Sequence, residues 1–338
     1  MQVQTIGLDL AKSVFQVHGV NSQGEVVMRE RLARSKVIGF FRKLDPCLIG
    51  IEACSSGHYW GRELARLGHQ VKLMPAQYVR PYVKRAKTDS ADAEAICEAV
   101  ARPNMRFVPI KTREIQALNL LHSARSQLVN QRNALINCLR SGLAEFGIVV
   151  PAGMAGTTLL LNRATADNTR IPKPARAALL TIVEAIRSCG TQLKTLNLEL
   201  AEVAERDDTC ARLATIPGVG PVTASTIIAV CGDLSRFSSG RQFAAWLGLT
   251  PRQHSSGGTV RLGRITKAGN KTLRRLLVVG ASGQIRWARP NPERASPWLL
   301  SLLERRPPLV AAVALANKTA RIVWALMVRG GTYRAAYI

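Results

Sequence analysis

The chain has 338 residues, 47% of them hydrophobic, and a formal charge of +25. That length and apolar content exclude a disordered chain and leave room for two or three domains with full cores. The charge far exceeds what solubility needs and makes nucleic acid the leading partner, because neutralising many phosphates takes such an excess of Lys and Arg.

A membrane role competes weakly: the most apolar run, Leu309 to Val328, is interrupted by Asn317, Lys318 and Arg321, so no transmembrane helix is expected. The opening MQVQTIGLDLAK lacks the basic-then-apolar pattern of an export signal, which places the chain in the cytoplasm. Seven cysteines without a CxxC pair argue against a zinc site and against a disulfide framework. The charge is uneven as well. From Arg241 onward there are 17 Lys and Arg against two acids, Glu293 and Glu304, so a carboxylate site belongs in the N-terminal part and a phosphate grip in the C-terminal part.

In chain order, Ile6, Leu8 and Leu10 alternate with Gly7 and Asp9, which predicts a strand over 3–10 with its aspartate opposite the apolar set. Strand patterns at Val14–Val20 and Glu25–Arg31 flank the turn Asn21-Ser22-Gln23-Gly24, completing a meander. After a helix near Lys36–Leu44, Cys47 to Ile51 is continuously apolar, as in a strand buried on both faces, and it ends at Glu52. A helix over His58–Leu67, a strand over Gln70–Met74 and helices from Pro75 to Ala101 follow. Three antiparallel strands and then alternating helix and strand is the order of the ribonuclease-H-like fold.

Leucines 121, 128 and 135, and apolar positions from Ile186 to Val203, predict two long helices over 112–145 and 174–206, joined by a Gly, Pro and Thr-rich connector. They are expected to pair as an antiparallel or intersubunit coiled-coil arm; an ordinary helical core is the alternative. Ile216-Pro217-Gly218-Val219-Gly220-Pro221 reads as a helix-hairpin-helix turn, whose amides at Gly218 and Gly220 could hold a DNA phosphate or merely pack two helices. The Trp246 region leads by a loop into Arg252-Gln253-His254-Ser255-Ser256-Gly257-Gly258 and then the basic segment Arg261–Arg275. The expected domains are 1–105, 106–208 and 209–338.

Asp9, Glu52, Asp89 and Asp92 are the candidate metal site. Asp89 and Asp92, three apart on a helix, share a face, and Lys87 beside them suits a phosphate. Four carboxylates at one sheet edge could hold two magnesium (or manganese) ions that act on a phosphodiester. Glu52 is the most telling, since an acid capping a buried strand loses hydration unless it meets a cation or a partner. In the C-terminal part, Arg252, Arg261, Arg264, Lys267 and Lys271 are the candidate phosphate contacts, and Ser256 is a candidate nucleophile. By itself Ser255-Ser256-Gly257-Gly258 reads equally as a flexible loop, and His254 is given no role.

The segments GLDLAK at 7–12, IEACSSGHYW at 51–60, KTDSADA at 87–93, IPGVGPVTA at 216–224 and RQFAAWLGLTPRQHSSGGTVRLGRITKAGNKTLRRLL at 241–277 resemble the DEDD transposases of the insertion-sequence one-hundred-and-ten family, eleven-eleven subgroup. The resemblance implies a RuvC-like N-terminal domain whose tetrad is Asp9, Glu52, Asp89 and Asp92, a coiled-coil arm, and a transposase domain whose nucleophile is the serine before the glycine, Ser256, with Ser255 beside it as the alternative. It further implies donor and target DNA as substrates, a structured bridge RNA as guide, a covalent serine-DNA intermediate, and a homo-oligomer, dimer or tetramer, with sites shared between subunits. A RuvC-like junction nuclease using metal-activated water is the competing enzyme reading.

Overall fold

The computed structural model describes residues 2–84, 88–167, 169, 171–255, 258, 259 and 261–334. It divides into two compact units, Met1–Glu114 and Ile115–Ile338.

The first unit is built on a five-stranded sheet in the order β3-β2-β1-β4-β5. Its elements are β1 (Thr5–Leu10), β2 (Val14–Val20), β3 (Val26–Ala33), α1 (Val37–Phe41), β4 (Leu48–Glu52), α2 (Gly57–Arg66), β5 (Gln70–Met74), α3 (Ala76–Val79) and α4 (Asp89–Val100). The first three strands are antiparallel and β4 and β5 run parallel to β1, so the expected meander followed by alternating helix and strand is present. Asn21 closes the second turn: its side-chain oxygen accepts from the amides of Gln23 and Glu25, and Gly24 takes the left-handed conformation there.

Alternation sorts β1 between two layers. Ile6 and Leu8 join Phe15, Ile49, Ile51, Phe41, Trp60 and Leu64 in the core under α1 and α2. Gly7 and Asp9 face the other way, towards α4. Gly7 is level with Gly50 across the parallel pair, and together they make a strip without side chains on which α4 lies. A Cβ at Gly7 would overlap the Ala93 carbonyl oxygen and the Cys97 amide nitrogen, and one at Gly50 would sit 2.7 Å from the Val100 Cβ. Glycine inside a strand weakens it, and here the return is direct contact between helix and sheet backbones.

In the second unit α5 (Arg113–Ala144), which begins just before the division, is followed by α6 (Met154–Thr165), α7 (Lys173–Glu205), α8 (Asp208–Ala214), α9 (Pro221–Cys231), α10 (Gly240–Trp246), β6 (Pro251–Gln253), β7 (Leu262–Ile265), α11 (Lys271–Ala288), α12 (Pro297–Arg305) and α13 (Pro308–Arg329). Helices α5 and α7 pair antiparallel: Leu118 clusters with Leu200, Arg125 Nε donates to Asn197 Oδ1 at 2.7 Å, and Gly142 lies against Leu179. The connector expected between them contains α6, whose Leu160 and Ala164 close a core with Leu139, Leu143, Val150, Leu179 and Val183. Its Gly, Pro and Thr content hid that helix from a propensity reading.

Helix α13 corrects another expectation. It is long and apolar enough, by length and composition, to cross a membrane despite Asn317, Lys318 and Arg321. Its stripe Ala311, Leu315, Ala316, Thr319, Ala320 and Val323 is buried against α10 and α11, as in a core helix. No disulfide occurs among the described residues; Cys47, Cys97, Cys189, Cys210 and Cys231 are buried packing groups, and burial raises the thiols of Cys47 and Cys97 to about 11.

Candidate active site and nucleic-acid interface

All four tetrad acids lie in the first unit, and its topology brings them to one end of the sheet. The register that sets Gly7 beside Gly50 and Leu8 beside Ile51 carries on to Asp9 beside Glu52, at the C-terminal ends of two parallel strands. Asp89 and Asp92 occupy the first turn of α4, the helix seated on Gly7. Thr88 caps that helix by accepting from the Ala91 amide at 3.2 Å. Carboxylates in a first turn are favoured by the helix dipole, so the sequence Thr88-Asp89-Ser90-Ala91-Asp92 starts the helix and points acids at the sheet edge in one stroke.

The electrostatics record the crowding. Burial, followed by the charges of Asp92, Asp89 and Glu52, pushes the Asp9 carboxyl up from 3.8 to about 6, with only a backbone hydrogen bond at Leu10 opposing. Four hard oxygen-donor groups that repel one another are the donor set a divalent cation such as magnesium or manganese prefers. The set is near-gathered rather than closed: among the described residues no three His, Cys, Asp or Glu side chains stand close enough as they are to hold one metal ion. The chemistry of the donors fits a cation, and its arrival would draw carboxylates together that otherwise repel.

Cations near α4 are partly engaged. Lys84 pairs with Glu98 at 3.0 Å and with Glu94 at 3.5 Å. Lys87, a candidate phosphate contact, lies outside the described residues. Next to Glu52, His58 accepts from the Lys111 amide at 3.2 Å through Nδ1, and burial with the charges of Lys111 and Arg62 lowers it to about 4. It is a neutral acceptor at neutral pH, which fixes the start of α2.

In the second unit, the segment expected as a loop is a two-stranded hairpin. β6 and β7 pair antiparallel, with Pro251 opposite Ile265 and Gln253 opposite Leu262. Almost every residue of both strands is exposed. A two-stranded hairpin without a buried face has little to hold it, so its cations are not there to support a core. Arg252, Arg261 and Arg264 project from it, and Lys267 and Lys271 follow on the way into α11, all exposed. Arg252 Nη2 donates to the Thr266 carbonyl at 3.3 Å. Lys267 is the one non-glycine residue with positive φ among those described, at 57°, and its amide donates to Gly248. Such strain persists only where surrounding contacts enforce it. Gly248 and Gly269 enforce it here, since a Cβ on either would overlap the opposing backbone at Ala268 and Trp246.

Ser256, the candidate nucleophile, lies outside the described residues. Its neighbour Ser255 accepts from the Arg261 amide through Oγ at 3.2 Å, and the His254 amide donates to the Arg261 carbonyl at 2.8 Å.

The hairpin of Gly218 and Gly220 joins α8 to α9 as expected, but its two glycines differ. Gly218 is left-handed, at φ 77°, and wedged against Gly280 of α11, while Gln284 Nε2 donates to the Pro217 carbonyl at 2.9 Å. That glycine serves packing. Gly220, the N-cap of α9, faces open space. Position 218 alone could not reveal this, because its contact is some sixty residues away in sequence; Gly7 and Gly50 were missed as positioning residues for the same reason. Glycine inside a strand pattern was the available signal.

Comparison with known proteins accounts for nearly all of the chain. A family model described as "Transposase", for DEDD transposases of IS110 elements, matches residues 6–148, and one described as "Transposase IS116/IS110/IS902 family" matches residues 210–296. The chain is 48% identical over 336 residues to a probable family 20 transposase of Pseudomonas aeruginosa, covering 99% of both chains. It is 39% identical over 332 residues to the transposase for insertion sequence element IS1328 of Yersinia enterocolitica, covering 98% of each. With the transposase for element IS1111A of Coxiella burnetii it shares 37% over 337 residues, 98% of this chain and 92% of that one. With the four acids at one sheet edge and matches spanning both units, the chain belongs to the IS110 family of insertion-sequence DNA transposases, in its IS1111 subgroup.

Proposed function

We propose that this transposase excises and inserts its element by strand exchange through a covalent serine-DNA intermediate, on a ribonuclease-H-like, RuvC-type first domain and a helical second one. The observation that carries the reading is the crowding of Asp9, Glu52, Asp89 and Asp92 at one sheet edge, strong enough to raise Asp9 to about 6. These four would hold magnesium or manganese, which when bound supplies positive charge against that developing on the phosphate.

The chain's own residues do the rest. Ser256 Oγ attacks the scissile phosphorus; a serine–phosphate bond forms as the bond to the leaving deoxyribose oxygen breaks, and the serine proton passes to a nearby base. The ester keeps the energy of the broken bond, so the strand can be rejoined to a new end without a nucleotide cofactor. Arg252, Arg261, Arg264, Lys267 and Lys271 hold flanking phosphates, with the open Gly220 amide as a further contact. Donor and target DNA are the substrates. A structured bridge RNA as guide, subunits that share sites in a dimer or tetramer, and a cytoplasmic setting complete the reading; the charge of +25 supports an RNA alongside two DNAs.

Trapping the adduct tests this. Denaturing electrophoresis of reactions with end-labelled donor DNA should show protein-linked DNA for the intact chain and for Ser255→Ala, and none for Ser256→Ala. An adduct that survives Ser256→Ala and disappears in Ser255→Ala would move the nucleophile by one residue. Free ends with no linked protein in any variant would favour attack by water.

A further inference from the structure

We propose that the shallow pocket of about 610 Å³ beside the acid cluster, lined by Lys12, Ser13, Arg34, Ser35, Tyr59 and Trp60, seats the nucleotide that flanks the scissile phosphate. The inference rests on the reading of the tetrad just given, and it adds a positioning and base-stacking site to the first unit.

Topology sets the location. Lys12 and Ser13 form the turn from β1 to β2, directly after Asp9 and Leu10. β3 is antiparallel to β2 and therefore parallel to β1, so Arg34 and Ser35 leave the sheet at the end where Asp9 and Glu52 sit. The Arg34 amide ties this exit to the turn by donating to the Ser13 carbonyl at 2.9 Å. α2 starts just after Glu52 and carries Tyr59 and Trp60 in its first turn. The pocket thus lies one to two strands sideways from Asp9, a displacement of ~5–10 Å along the edge.

The chemistry of the lining suits one nucleotide. Arg34 is held over two rings, 5.2 Å from the Trp60 centroid and 5.7 Å from that of Phe15, which fixes a guanidinium without a carboxylate. Among the described residues neither Lys12 nor Arg34 forms an ion pair. No acid lines the pocket, although four stand beside it. Two unneutralised cations and two exposed serine hydroxyls are partners for a phosphate. Tyr59 stands edge-on to Trp60 at 5.2 Å and is 45% exposed, which leaves an aromatic surface for a base. A volume of this size matches a small-ligand site. A strand laid along the edge would otherwise meet four carboxylates; the cations beside them offset that repulsion one nucleotide away.

The test uses the full chain carrying Asp89→Asn, so that DNA binds without turnover, and donor-end DNA with 5-iodouracil placed singly on either side of the cleavage site. Irradiation should give a crosslink that peptide mass spectrometry maps to Tyr59, from a position next to the scissile phosphate. Crosslinks that map only elsewhere would overturn the proposal. Independently, an abasic nucleotide at that position should weaken binding about tenfold in the protein with native Tyr59 and have little further effect in Tyr59→Ala, while Tyr59→Phe behaves as native. Full sensitivity to the abasic site in Tyr59→Ala would overturn it as well. Cleavage persisting in Asp89→Asn would count against the tetrad alone, because the crosslink and the abasic comparison read binding.

Discussion

The acid edge of the first unit and the basic hairpin of the second are built on opposite principles. Asp9 and Glu52 end strands whose neighbours are buried, and Asp89 and Asp92 begin a helix that rests on the sheet through Gly7 and Gly50. Every acid is placed by packed backbone. Arg252, Arg261 and Arg264 sit on a hairpin with almost no buried residue, placed by a few hydrogen bonds and a strained Lys267. The difference follows from what each must grip. A metal-bound phosphate tolerates little misplacement, so its ligands need a rigid frame. A DNA backbone is long and uniformly charged, and long cationic side chains on an exposed element can follow it.

If that contrast holds, first-unit changes act all-or-none and second-unit changes act by degrees. The largest effect is expected from Asp9→Asn or Asp89→Asn, which should lower strand exchange by about 10³-fold or more while DNA affinity, measured by gel shift, stays within a few-fold. Chelation of divalent cations should have the same effect on the unaltered chain. Substantial exchange by either variant would break the comparison at its root.

Next comes the seat of α4. Gly7→Ala should destabilise the first unit by about 1–3 kcal/mol, read from local hydrogen exchange, and reduce activity well beyond that, because the helix must shift to admit the methyl group. Gly50→Ala, which meets the Val100 side chain rather than backbone, should cost less. Equal effects at both would mean that side-chain repacking, not backbone contact, sets the position of α4.

Acid should separate the two units. In the first, Asp9 titrates near 6 when folded and near 3.8 when unfolded, so the folded state holds the proton more tightly. Without metal, stability there is greatest below the unfolded value and is lost as pH rises through about 6. In the second, His122 is buried between α5 and α9, its Nδ1 3.2 Å from the Thr226 hydroxyl, and burial lowers it to about 4. Its contribution is complete above about 6.5 and is lost as pH falls towards 4, up to ~3 kcal/mol. Hydrogen exchange between pH 4 and 6.5 should therefore show protection falling with acid around α9 and rising with acid around β1. The same sign in both would contradict the buried imidazole or the crowded carboxylates.

The smallest single effects belong to the hairpin. Arg252→Ala, Arg261→Ala or Arg264→Ala should each weaken DNA binding by about 3–10-fold and reduce the salt slope by about one for every phosphate no longer neutralised. A loss of several hundred-fold from one of them would mean a base-specific or catalytic contact.

Most of the first unit could be read from the sequence, because its strands alternate or run apolar and its acids sit at strand and helix ends, where local rules place them. The role of Gly7 and Gly50 could not: each belongs to a plausible strand, and only the arrival of α4 from some ninety or fifty residues later explains why no side chain is allowed. Gly218 and Gly280 are a second such pair, joined only in space. The hairpin β6–β7 escaped notice because it lacks the apolar alternation that marks a strand, and α6 because its composition resembles a connector. Contacts at long sequence separation and elements without a buried face leave the weakest local trace.

The glycine strip also bears on engineering. Where two layers meet through side chains, a library can drift, since rotamers repack around a changed neighbour. Where Ala93 and Cys97 rest backbone on backbone at Gly7, there is no compliant layer to absorb a change. A programme to retarget this transposase would keep 7, 50, 93 and 97 fixed and place its diversity on the exposed hairpin, whose surroundings set few steric terms for what it carries.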